Sequence, residues 1–344
     1  MNTTTNIKTT LIRIAIGLAA SVTPQLHAAD WFGGTGDWTS AGADNWSLGT
    51  GVYPGDAANG AESAVLTTGG TINIGSGDNI NLTANQNYQA ATTTVNQSGG
   101  TFQVNTTVPR VGNTWNLSGG AMTFSNGVQF FSSSGGGEIN VSGGTFSASA
   151  IQWRGLGDVT VSGGSFTTGV MDFGYDGSGS GSISVIGSSA TKLEANTLKL
   201  IGGASPATAN FTFDNSGVNF WDLIGGSATT LFIDNTTNLN VDLGTYDAVN
   251  GDNLFAYNRR DPGVSGTFDT ANISITGDTF GGAFTLGSGP GSLNPGEYYI
   301  DYTADFDGGG AVVLYANNIP EPSTFVLLGI ALLGVVAFGR RKSA

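Results

Sequence analysis

One eight-residue phrase returns four times in the first half of the chain and leaves few architectures open. Val95-Asn96-Gln97-Ser98-Gly99-Gly100-Thr101-Phe102 recurs as Trp115-Asn116-Leu117-Ser118-Gly119-Gly120-Ala121-Met122. It returns as Ile139-Asn140-Val141-Ser142-Gly143-Gly144-Thr145-Phe146, and again as Val159-Thr160-Val161-Ser162-Gly163-Gly164-Ser165-Phe166. The glycine pairs are spaced 20, 24 and 20 residues apart, with weaker echoes at Gly69-Gly70 and Val185-Ile186-Gly187. Each unit reads as a short strand with apolar residues two apart, a glycine corner, and a second short strand opening on Phe or Met. The period of two puts the first and third residues on one face. Glycine supplies the positive φ of the corner without a side chain in the way.

A single unit cannot bury its apolar face, so units must stack. A period of 20–24 residues fits one coil of a parallel β-helix, whose stacked strands lie about 4.8 Å apart. Six such coils make a rod of roughly 30 Å. Phe102, Met122, Phe146 and Phe166 are then expected in one apolar column. The alternative is an antiparallel sandwich with glycine-rich hairpins; a shared phrase at near-constant spacing favours the solenoid. Glycine contributes 56 of 344 residues, a bias that suits disorder, but 39% hydrophobic content and clear alternation argue for strands.

Five segments follow. Residues 1–29 read as a signal peptide, 30–63 as a Trp-rich cap, 64–203 as the Gly-rich solenoid, 204–316 as a β-rich end-piece and 317–344 as a tail. The cap holds Trp31-Phe32-Gly33-Gly34-Thr35-Gly36-Asp37-Trp38, then Asn45-Trp46 and Tyr53-Pro54-Gly55-Asp56. Trp31, Trp38 and Trp46 either close the open end of the core or, exposed, form a platform on which flat glycans stack. With the Ser-Gly-Gly phrases, this opening resembles the autotransporter-associated β-strand repeat proteins of bacterial surfaces. In the end-piece, segments such as Phe211-Thr212-Phe213, Leu239–Leu243, Asn253–Tyr257, Gly266–Asp269, Tyr298–Tyr302 and Val312–Tyr315 read as strands, expected to close the rod antiparallel. Asp305-Phe306-Asp307-Gly308-Gly309-Gly310 reads as the hairpin joining the last two.

The tail sets where the body goes. Ten of the fourteen residues from Phe325 to Phe338 are Phe, Leu, Ile or Val. At roughly −0.3 to −0.6 kcal/mol each, they favour membrane insertion by about 3 to 6 kcal/mol. A helix over 323–339 is at the short end of what spans a bilayer. Arg340, Arg341 and Lys342 stop transfer and hold that end inside. Upstream, Pro320 and Pro322 keep Ile319 and Glu321 extended and bar the helix from growing past them. Pro320-Glu321-Pro322, the short apolar helix and the basic end together resemble the PEP-CTERM sorting signal. That resemblance implies an inner-membrane intermediate, processing by an exosortase-type membrane peptidase, and delivery to the surface or matrix of a Gram-negative-type bacterium that exports polysaccharide. The alternative is a plain anchor that is never cut.

At the other end Lys8 and Arg13, the apolar run Leu11–Ala20 and the sequence Leu26-His27-Ala28-Ala29 have the order of a secretory signal, cut near Ala28 or Ala29. Without its two ends the chain keeps six basic residues against 24 acidic ones, a net charge of −18. Nucleic acid as a partner is excluded on that balance, since phosphate binding relies on Lys and Arg. There is no cysteine, and His27, the single histidine, leaves with the signal. Ser-His-Asp and Cys-His nucleophile systems are therefore absent, as are zinc sites of Cys/His type.

Weaker motifs compete with plain turns. Asp305-x-Asp307-Gly308 opens like a calcium loop but lacks the later acidic ligand, position 316 being Ala316. Asp172 and Asp176, with Arg154 one coil earlier, have the makings of a glycosidase-type carboxylate pair; solvated acids beside a turn are the simpler account. Gly177-Ser178-Gly179-Ser180-Gly181 lacks the Lys and helix of a phosphate loop. The reading is an exported surface or matrix protein, non-enzymic, with no cofactor or metal and with extracellular polysaccharide as its expected partner. The rivals are a carbohydrate-binding adhesin and a β-helix polysaccharide lyase or hydrolase.

Overall fold

Apolar strands this short hide one face only by wrapping round one another, and the chain does so by coiling. The computed structural model describes residues 28–317, less the connecting stretches 40–44, 49–51, 57–62, 84–86, 89–92, 106–109, 131–135, 188–191, 214–220, 225–229, 245–251, 259–263 and 278–284 and a few isolated positions, mostly between 287 and 308. All its elements are β-strands except two single 3-10 turns, Tyr175–Gly177 and Thr270–Asn272. Successive coils pair parallel and in register along three ladders.

The first ladder runs from Gly34–Asp37 through Gly70–Ile74 and the leading halves of Thr93–Val104 and Thr114–Phe124. It continues through Gly137–Val141, Leu156–Val161, Ser180–Gly187, Thr208–Phe213, Asn238–Asp242 and Ile273–Thr276. The second begins at Asn79–Leu82 and takes the trailing halves of the two long strands. It then takes the leading halves of Thr145–Trp153, Ser165–Asp172 and Lys192–Leu200, passes through Trp221–Ile224, and ends its parallel run at Asp252–Asn258. The third starts at Ala28–Asp30 and Ser63–Val65, passes through Val128–Phe130 and the trailing halves of the same three strands, and reaches Thr230–Ile233 and Val264–Ser265.

The repeated phrase is the corner between the first two ladders. Its second glycine has positive φ at each of the four positions: 64° at Gly100, 79° at Gly120, 72° at Gly144 and 72° at Gly164. Its first glycine serves a different need. A Cβ on Gly143 would lie 2.4 Å from Ser118 O, and one on Gly163 2.4 Å from Ser142 O, so the backbones of neighbouring coils touch where a side chain would stand. The corner is a file of bare backbone.

Inside, the expected column is present: Ile80, Phe102, Met122, Phe146, Phe166 and Leu193 are in register and buried. Phe146 and Phe166 stack at 4.6 Å and 8°. A second file comes from the third ladder, where Trp153 and Phe173 stack at 4.2 Å. Each such ring removes about 1.5–3 kcal/mol worth of apolar surface from water. Gln97 occupies an otherwise apolar position, 0% exposed. Its amide donates to the carbonyls of Gly99, Gly100 and Ala121, so a buried polar group ties the corner to the next coil.

Outside, the residue between the two buried ones is repeatedly Asn. Asn116 Nδ2 donates to Asn96 Oδ1 at 2.9 Å, Asn140 to Asn116 at 3.0 Å, and Asn240 to Asn210 at 2.8 Å. These side-chain bonds run parallel to the backbone ladder and bind coil to coil.

The stack departs from expectation in four ways. Each coil has three strands, not two, because Val128–Phe130 and its equivalents fold between successive phrases. Parallel stacking also extends beyond the phrases on both sides: the first ladder passes residue 203 without a break and reaches Ile273–Thr276. Antiparallel closure is thus narrower than expected, confined to the terminal sheet and one bridge among the described residues. Gly69-Gly70 is not a corner, since Gly70 opens a first-ladder strand paired with Gly34. Gly266–Asp269 is a connection rather than a strand, Gly266 taking φ 86°.

The tryptophans sit at the start of the stack. Trp31, Trp38 and Trp46 are 1%, 0% and 3% exposed. Trp31 and Trp46 form an antiparallel bridge, Trp46 Nε1 donates to Trp38 O, and Trp38 Nε1 donates to Pro54 O. Trp38 packs on Phe102 at 5.2 Å, edge to face. A glycan platform requires exposed ring faces, and these rings are spent inside the core.

Candidate functional site: the terminal sheet and the sorting tail

The chain leaves the stack through a small antiparallel sheet. Glu297–Phe306 and Gly309–Asn317 pair as a hairpin, with Asp305 opposite Gly310 and Glu297 opposite Asn317. The second of these strands also pairs antiparallel with Asp252–Asn258, as far as Asp252 opposite Ala316. Gly309–Asn317 is therefore a middle strand, held on both edges almost to its last residue. The hairpin is anchored from its first strand: Tyr298 and Ile300 are 3% and 6% exposed within the core. Tyr302 Oη accepts from the Phe268 backbone N–H at 2.9 Å, and burial pushes its phenol above the ordinary tyrosine value.

Pro320 lies three residues past Asn317. The motif Pro320, Glu321 and Pro322, the expected span 323–339 and the basic end Arg340, Arg341 and Lys342 all fall outside the described residues. Among the described residues no helix is long and apolar enough to cross a membrane.

Other sequence candidates resolve differently. Asp305 lies within the strand Glu297–Phe306, paired in register, so the hairpin reading holds over the calcium-loop alternative. Asp172 is 8% exposed and accepts from Lys199 Nζ at 2.8 Å. Its ladder neighbours are Gln152 and Lys199, so no second carboxylate flanks it in register. Arg154 lies 5.0 Å above the Tyr175 ring. Asp176 belongs to the 3-10 turn Tyr175–Gly177, and its side chain is outside the described residues. Lys199 carries no local signal in the sequence because it lies 27 residues from Asp172; only the coil period connects the two. No group of three or more metal-ligating side chains occurs among the described residues.

The signal-cleavage pair is split by burial. Ala28 is exposed and Ala29 is 0% exposed, the two lying in the strand that pairs Ala28 with Ser63 and Ala29 with Ala64.

Comparison with known proteins bears on the tail. No curated protein and no solved structure matches the chain. Residues 318–342 match the family model of the PEP-CTERM protein-sorting motif, which begins at the residue after the last strand ends. The chain thus carries a signal that implies an exported protein, passed through the membrane to the cell surface and processed by the membrane enzyme exosortase.

Proposed function

We propose that this is a non-enzymic structural protein of the cell surface or extracellular matrix, in which a rigid β-solenoid is delivered by the sorting tail and associates with extracellular polysaccharide. The observation that carries the reading is the junction itself: parallel ladders give way to an antiparallel hairpin that leads directly into the matched motif. A rod held by stacked rings inside and an asparagine ladder outside suits a load-bearing role. The likeness of residues 31–200 to autotransporter-associated repeats points the same way. The helix over 323–339 would hold the body at the membrane until processing.

Intact mass of the cell-associated and released forms tests it. The expected mature chain begins at Ala29, since cutting after Ala28 keeps the buried Ala29 methyl and its pairing with Ala64, and it ends near residue 320. A C-terminus at Ala344 refutes processing. Deleting the gene should reduce polysaccharide-bound matrix without changing polymer length; shortened polymer on incubation with the body would instead favour the lyase or hydrolase, and glycan binding without matrix loss the adhesin.

A further inference from the structure

We infer that the folded body and the sorting peptidase compete for one stretch of chain: the last strand must leave the terminal sheet before the motif can enter the enzyme. The inference rests on the reading that the tail is processed.

Three observations carry it. Gly309–Asn317 is hydrogen-bonded on both edges, through Ala316 on one side and Asn317 on the other. The matched motif begins at residue 318, leaving no spacer. Three residues of extended chain reach at most about 10 Å, so a peptidase that grips Pro320 must abut the sheet. Peptidases and other peptide readers bind extended chain by pairing with its backbone, and a residue already paired on both edges has no N–H or C=O to offer. Slack cannot be gained by sliding the strand outward, because its other end is held by the tight connection in which Phe306 pairs with Gly309. Access therefore comes from fraying of the strand end, a local opening far less costly than global unfolding. The processing rate should follow the population of that opened form.

The chain has no cysteine, so an engineered pair forms a single crosslink. Tyr299 and Tyr315 stand opposite one another in the hairpin. The full chain carrying Tyr299→Cys and Tyr315→Cys is produced in cells with active exosortase, with and without reductant, and processing is followed by intact mass. The oxidised form is expected to be processed at least about tenfold more slowly than the reduced form, as its open population is suppressed. A ten-residue Gly/Ser spacer after Asn318, adding roughly 17 Å of reach, should restore the rate in the oxidised form and raise it in the otherwise unaltered chain. Equal rates for oxidised and reduced forms, or a spacer without effect, overturn the inference while leaving processing intact. A chain of native sequence that keeps its full-length mass overturns the processing reading, and the inference falls with it.

Discussion

Glycine carries two separate duties in this chain, and substitution separates them. Gly177 has φ 75° with nothing within 4 Å of the point where a Cβ would stand, whereas Gly144 has φ 72° with Gly120 O only 2.6 Å from that point. Gly177→Ala is expected to cost about 1 kcal/mol for the left-handed backbone alone. Gly144→Ala should add about 1–3 kcal/mol of overpacking to that. Urea midpoints of the two variants read the difference, and equal midpoints would mean that neighbouring coils leave room for a methyl group at the corner. The phrase announced a positive φ at its glycine pair, and the structure places it on the second glycine. The phrase gave no hint that the first is bare because Ser118 and Ser142 carbonyls of the coil before occupy its side-chain space.

At the scale of elements, the cap and the terminal sheet each make a prediction. Trp38 bridges Trp46 and Phe102 and is fully buried, so Trp38→Ala should cost about 3–5 kcal/mol. The loss should show as early exchange of the amides of the first coils while those near Phe166 stay protected; uniform loss would argue against a cap that melts first. Tyr302 is expected to contribute to the loss of stability at alkaline pH. Its phenol is raised above the unfolded value near 10, chiefly by burial and against the lowering effect of the Phe268 N–H. A raised acid keeps its full contribution below about pH 10 and loses it as pH climbs through the folded value. Tyr302→Phe should therefore flatten the stability decline above about pH 10, at a cost near 1 kcal/mol at neutral pH for the lost acceptor. Tyr53 retains part of the slope, being raised by burial and then by Asp56 and Asp78. An unchanged alkaline limb in Tyr302→Phe would remove this account.

For the molecule as a whole, stacking predicts that length is adjustable in units of one coil. Deleting residues 146–165 places Phe166 over Met122 and Ile183 over Ile139, positions already related through Phe146 and Val159. Because repeat stability is a sum over neighbours, the shortened body should fold cooperatively with a modestly lower midpoint. Deleting residues 146–160 shifts the register and should leave an aggregating chain. Circular dichroism melts distinguish them, and two equally folded products would contradict the ladder register.

Sequence alone determined that the body is a stack of coils, where one corner lies, which rings share a column, and that residues near the end read as a sorting tail. Those properties depend on neighbours within a few residues or on a repeated phrase. Only the tertiary structure decided what depends on contacts one coil away. It decided that a third strand such as Val128–Phe130 completes each turn, that Asp172 is held by Lys199, that the tryptophans face inward, and that the last strand is pinned on both edges. The physical reason is that alternation tells a strand which face is apolar, while the partner along each edge is chosen by the coil above and below it, some 20–37 residues away.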